Sequence, residues 1–133
     1  MMKFYANMGE NKRLEEARDL VRQYFQRLLN EKDLSVCDEM LSPEYIDHDA
    51  PADTPPGPGS VKEFIAGFLA EYPDMWVEIE DILAEGSQVA ARIVWHGHHR
   101  ETGNAFHQMG IIILRLNREG KFVERWSAYK LLE

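Results

Sequence analysis

Residues 75–116, MWVEIEDILAE-GS-QVAARIVWHGHH-RETGN-AFHQMGIIILRL, decide the fold. Apolar side chains recur here about every second residue, the spacing of a half-buried strand. Met75 to Leu83 reads as one strand, Gln88 to His99 as a second and Ala105 to Leu116 as a third. Glu85-Gly86-Ser87 and Arg100 to Asn104 supply polar turns, and after a further turn at Asn117 to Gly120 a fourth strand runs from Lys121 to Leu132. Consecutive strands joined by short turns form an antiparallel meander.

Before Pro73 the apolar period is about 3.6 residues, that of a helix. Leu14, Ala17, Val21, Tyr24, Phe25 and Leu28 make one helical face that ends near Asn30. Asp33 is placed to cap a shorter helix reaching about Leu41, with Leu34, Cys37, Met40 and Leu41 inward. Pro43 stops it, and Glu44 to Asp49 reads as extended. Ala50 to Gly59, with four prolines, is a loop. Ser60 and Glu63 have the spacing of a capping box for a third helix carrying Val61, Phe64, Ile65, Phe68, Leu69 and Tyr72, which Pro73 ends. Helices followed by a meander predict one α+β domain over residues 1–133, with N-terminal helices packed on a curved antiparallel sheet, and residues 1–11 as an N-terminal extension.

The chain's 133 residues suit a single domain. Its net charge of −8 argues against a nucleic-acid partner, because that affinity comes largely from Lys and Arg. It also disfavours anionic membrane surfaces, and no apolar run approaches the roughly 20 residues of a membrane span. Met1 to Asn11 lacks the apolar core of a signal peptide, and Cys37, the single cysteine, permits no internal disulfide. The cytoplasm is the expected location, with Cys37 a small buried residue.

Pairing the second and third strands across Arg100 to Asn104 sets His99 opposite Ala105, Gly97 opposite His107, Trp95 opposite Met109 and Ile93 opposite Ile111. One face then carries Ala91, Ile93, Trp95, His107, Met109, Ile111 and Ile113, and being the more apolar it is expected to meet the helices. His107 would stand beside a glycine at the open end of an apolar wall, the usual composition of a small-molecule site. The other face, with Val94, Phe106, Ile112 and Leu114 among polar residues, is left without a helix to cover it. A homodimer through that face is expected.

His48 lies between Asp47 and Asp49 just before the Pro-rich loop. An imidazole titrates near neutral pH and suits proton transfer. Glu124 is a second candidate base. The turn before its strand does not fix the register, so either Glu124 and Trp126 or Arg125, Ser127 and Tyr129 face inward. Tyr24, Phe64, Phe68, Trp76 and Trp95 could line a pocket for a flat apolar ligand. His96 and His98 share a strand face in a way that can suit zinc or nickel, but no third His or Cys joins them there, so no metal is assigned.

Val21 to Phe25, Tyr45 to Asp49, Pro55 to Pro58, Phe68 to Pro73, Val77 to Asp81, Gly97 to His99 and Gly120 to Trp126 follow one another in an order that resembles the SnoaL-like polyketide cyclases, within the nuclear-transport-factor-2-like superfamily. The resemblance runs from about Leu20 to Tyr129. It implies a cone-shaped α+β barrel with a pocket between helices and sheet, frequent dimerisation, and ring closure by intramolecular aldol condensation without metal or cofactor. On that footing His48, His107 and Glu124 are the candidate acid/base groups. Tyr24, Phe64, Phe68, Trp76, Trp95, Met109, Ile111 and Trp126 are the candidate lining for a small apolar or aromatic ligand bearing a carbonyl. The alternative is a non-catalytic ligand-binding or interaction domain of the same fold. The chain departs from the family at Ser127, where many members carry Asp, and at Arg125, where histidine is common.

Overall fold

The apolar face of the first helix is the seam of the structure. The computed structural model describes residues 2–132, with side chains described from residue 9 onward. Helix α1 (Met2–Phe25) buries Ala17, Val21, Tyr24 and Phe25, while Leu14 stays half-buried. A π-helical turn, Gln26–Asn30, continues it. Leu28 and Leu29 of that turn are both buried, continuing the apolar face of α1. Asn30 closes the turn by pairing like a strand residue: its side chain accepts from Val77 N at 2.8 Å and donates to Val77 O at 3.1 Å.

Helix α2 (Val36–Met40) is shorter than the sequence suggests, because Asp33 Oδ1 accepts the Ser35 N–H in a local turn instead of capping the helix. Its Cys37 is fully buried, and burial pushes the thiol up to about 11. Strand β1 (Leu41–Asp47) follows directly. Helix α3 (Pro58–Glu71) starts two residues before the expected capping box. Gly57 caps it at φ 98°, with Pro58 at the first helical position. A Cβ on Gly57 would stand 3.1 Å from Pro43 O, so both backbone angle and space call for glycine there. Ser60 Oγ instead donates to Pro55 O and braces the loop.

Strands β2 (Trp76–Glu85), β3 (Gln88–His98), β4 (Ala105–Leu116) and β5 (Phe122–Leu131) make the expected meander. The sheet order is β1-β5-β4-β3-β2, and β1 pairs parallel to β5. The sheet is therefore mixed, not purely antiparallel. That edge pairing joins segments nearly eighty residues apart, and no local turn signals it. The helices lie on one face, over a core that includes Val89, Ile93, Ile112, Leu114 and Phe122. Each such side chain contributes roughly 1.5–3 kcal/mol on burial.

The register of β3 and β4 differs from the expected one by a single residue. His98 pairs with Ala105, Gly97 with Phe106, His96 with His107, Trp95 with Gln108 and Val94 with Met109. His99 closes the turn with Asn104, its N–H donating to Asn104 O at 2.9 Å, so the loop holds four residues where five were expected. A one-residue slip moves every side chain of β4 to the other face. Phe106, Gln108, Ile112 and Leu114 therefore share the inner face with Trp95. His107, Met109, Ile111 and Ile113 share the outer face with Val94 and His96.

Candidate functional site

Between α1, α3 and the inner sheet face lies a cavity of about 830 Å³. That is within the size range of small-molecule sites. Phe64 and Phe68 of α3, Trp95 of β3 and Phe106 of β4 form its aromatic side, with Phe68 in edge contact with both Trp95 and Phe106. Tyr24, Phe25 and Leu28 wall it from the first helix, and Pro51 to Pro55 of the loop stand at its mouth.

Polar side chains reach it from β1 and the loop after it, from α3, from β4 and from β5. Alternation along β5 sends Arg125, Ser127 and Tyr129 inward and Glu124 and Trp126 outward. Alternation around the end of β1 sends Asp47 and Asp49 to the cavity and leaves His48 outside. The Asp49 carboxylate accepts the Ser127 backbone N–H at 2.6 Å. An Arg125 Nη donates to the Tyr129 hydroxyl. Residues two apart on a strand stand about 6.6 Å apart on one face. The Arg125–Tyr129 pair therefore spans the stretch of β5 that holds Ser127, and Asp47 is the carboxylate whose charge acts on both. Burial raises the hydroxyls of Tyr24, Tyr45 and Tyr129, so all three are neutral donors at physiological pH. Gly110 of β4 pairs with Tyr129, and a Cβ there would overlap the tyrosine ring. Gly110, not Gly97, is the glycine that makes room in the site.

The residues picked out from sequence divide accordingly. Tyr24, Phe64, Phe68 and Trp95 line the cavity. His48 and Glu124 do come together, with Nε2 and Oε2 2.7 Å apart, and His48 stacks on Trp126 at 4.8 Å, but this cluster faces away from the cavity. The hydrogen bonds from His48 and Arg115 hold the Glu124 carboxyl below its ordinary value. His107, Met109 and Ile111 are also outside, the result of the register slip. Trp76 is half-exposed on the outer face and stacks on His96, which in turn stacks on His107. His96 and His98 face Glu78 and Asp74, and among the described residues no three potential ligands gather to hold a metal ion. Sequence reasoning weighed Asp47 and Asp49 only as neighbours of His48; period-two alternation through residues 45–49 was the signal that separated them.

Three helices thus roof a mixed five-stranded sheet over a cavity that Asp47, Asp49, Arg125 and Tyr129 help to line. The chain is a member of the SnoaL-like polyketide cyclase family, whose pattern it matches over residues 3–133. Among solved structures it is similar to IdmH from Streptomyces antibioticus, a proposed polyketide cyclase, with 25% identity and a TM-score of 0.74 over 86% of this chain and 91% of that one. AclR from Streptomyces galilaeus, a proposed hydroxylase, is 24% identical with a TM-score of 0.75, covering 89% and 81% of the two chains. A SnoaL-like polyketide cyclase from Agrobacterium tumefaciens is 15% identical at a TM-score of 0.73, covering 86% and 91%, and shares the fold. No curated protein matches the chain. No helix among the described residues is long and apolar enough to cross a membrane.

Proposed function

We propose that the cavity performs cofactor-free acid/base chemistry next to a carbonyl of a small apolar or aromatic substrate, as a cyclase or isomerase. The observation that carries this is the Asp49 carboxylate, held on Ser127 N in a cavity that the Arg125–Tyr129 pair also lines. Many family members carry Asp at the position of Ser127; here β1 delivers a carboxylate to the same spot. Asp49 takes a proton from the carbon next to the substrate carbonyl. The carbonyl oxygen becomes an enolate oxygen, stabilised by the guanidinium and the Tyr129 hydroxyl. The enolate carbon then attacks a second carbonyl in the same molecule, closing a ring, or is reprotonated at another carbon. The proton on Asp49 returns to the new alkoxide or to that carbon. The aromatic wall excludes water and strengthens each of these interactions. An exposed carboxylate lining an aromatic-walled cavity favours this reading over a purely binding domain.

The test uses deuterium. In D2O the protein is expected to speed exchange of the hydrogens next to the carbonyl of a bicyclic aromatic ketone such as 1-tetralone, followed by proton NMR. Exchange at the buffer rate, with the ketone shown to bind, would leave the protein a binder only.

A second copy of the chain on the outer sheet face is the proposed partner. That face now presents Met109, Ile111, Ile113 and Trp126, with Ile111 52% exposed. Ile111→Glu is expected to convert a dimer into a monomer at micromolar concentration, read by light scattering. A wild-type chain that is monomeric there would refute the pairing. A buried lone cysteine suits a reducing compartment such as the cytoplasm.

A further inference from the structure

Gln108 is a polar side chain on the cavity's sheet wall that the acid/base chemistry leaves unused. It sits on the inner face of β4, opposite Trp95 of β3 on one side and Leu131 of β5 on the other. It is half-buried and lines the cavity with Trp95 and Phe106. Among the described residues no side chain or backbone group hydrogen-bonds its amide, and both amide atoms keep accessible surface. Other polar groups of the lining are engaged: Asp47 accepts the Asp49 N–H at 2.9 Å, Asp49 accepts from Ser127 N, and Ser60 donates to Pro55 O. A half-buried polar group in an aromatic wall is ordinarily matched by a partner. A few placed polar groups on an apolar lining are what orient a ligand.

Strand geometry sets the distance of Gln108 from the base. Asp49 is held at Ser127, which pairs with Ile112. Gln108 is four residues from Ile112 on the same strand and the same face, about 13 Å away at roughly 3.3 Å per residue. Gly110 lies midway, with the Tyr129 ring in the space a side chain of its own would fill. A contact at each end takes up about 3 Å, so ligand groups that meet Asp49 and Gln108 together stand about 7 Å apart, the span of a bicyclic ring system.

We propose that Gln108 is a specificity-determining residue whose amide hydrogen-bonds a hydroxyl or oxo group across the substrate's ring system from the carbon that Asp49 deprotonates. A carboxamide is neutral, accepts from a hydroxyl and donates to an oxo group. The rings between the two contacts lie against Phe68, Trp95 and Phe106. This rests on the acid/base reading of the same cavity and adds which second substituent the substrate carries, and where.

Three bicyclic ketones provide the test. 6-Hydroxy-1-tetralone carries its hydroxyl across the bicycle from the carbon with exchangeable hydrogens, 8-hydroxy-1-tetralone carries it beside the carbonyl, and 1-tetralone has none. Titrated into the full chain at pH 7 by calorimetry, the 6-hydroxy ketone is expected to bind about ten-fold tighter than the other two, the worth of one well-placed hydrogen bond. Gln108→Met keeps the side-chain length without the amide and is expected to erase that preference. Should Gln108→Met fail to fold by circular dichroism, Gln108→Asn withdraws the amide by one methylene and should cut the preference to about two- to three-fold. A 6-hydroxy ketone that binds no tighter than 1-tetralone, or a preference that survives Gln108→Met, overturns the assignment. So does an equal loss of affinity for all three ketones in Gln108→Met, which would make the residue structural. Each of these leaves the Asp49 chemistry standing, because deuterium exchange of 1-tetralone reads it separately. Failure of all three ketones to bind at millimolar concentration overturns both.

Discussion

Asp49→Asn lowers turnover of the native substrate, or of the deuterium-exchange probe, by about a hundred- to ten-thousand-fold, the contribution of a positioned general base. The amide keeps an oxygen that can accept the Ser127 N–H, the one contact Asp49 makes across to β5. The fold is therefore expected to survive, with a melting temperature close to that of the parent. What the variant loses is the capacity to take a proton. Ligand affinity should change far less than the rate, because the base acts on the transition state and touches the ground-state ligand only at one hydrogen. His48→Ala and His107→Ala provide the contrast. Their imidazoles stand on the opposite sheet face, on Glu124 and Trp126 in one case and on His96 in the other, so both variants should turn over at essentially the parental rate. A fast Asp49→Asn beside a slow His48→Ala would reverse the assignment and move the base to the outer face.

That contrast shows where sequence reasoning reaches and where it stops. The helix-to-strand switch at Pro73 is written in the apolar period, and the four meander strands lie close to where that period places them. The aromatic residues of the helices and of β3 line the cavity because each sits within a single locally periodic segment. Two non-local facts were out of reach. The parallel pairing of β1 with β5 has no turn to announce it, yet it delivers Asp49 to Ser127. The other is the length of one loop. With Asn104 counted in the turn, β4 turns its histidine inward; with Asn104 paired to His99, it turns Phe106 and Gln108 inward. A single residue of loop length thus exchanged the whole lining of a strand. Chemistry misled in the same direction. A histidine between two aspartates attracts attention as a proton carrier, whereas alternation gives the cavity to its two neighbours. The Ser127 departure from the family pattern was legible; the Asp49 contact to the Ser127 backbone required the three-dimensional pairing.

Gly110→Ala tests whether the site's shape depends on one missing side chain. Gly110 sits opposite Tyr129 on the inner face, and the tyrosine ring occupies the space that a Cβ would fill. The obstacle is a ring anchored on a strand, with its hydroxyl bound by Arg125 and little room to swing aside. The methyl must therefore displace the ring. Overpacking of this kind costs about 1–3 kcal/mol, a drop in melting temperature of several degrees for a domain of this size. The displaced ring also withdraws its hydroxyl from the guanidinium, so ligand binding and turnover should fall even at temperatures where the variant is folded. Steric coupling can be told apart from a general dislike of alanine at that position by a double-mutant cycle. In a Tyr129→Ala background the ring is gone, and adding Gly110→Ala should cost little or even stabilise, since alanine restricts the unfolded chain more than glycine does. An equal penalty with and without the Tyr129 ring would mean that Gly110 serves the backbone of β4 and not the architecture of the cavity. Its φ is not in the left-handed region, so the strand itself makes no demand for glycine there. The requirement comes from across the sheet, and it ties the stability of the fold to a tyrosine that holds Arg125 in place.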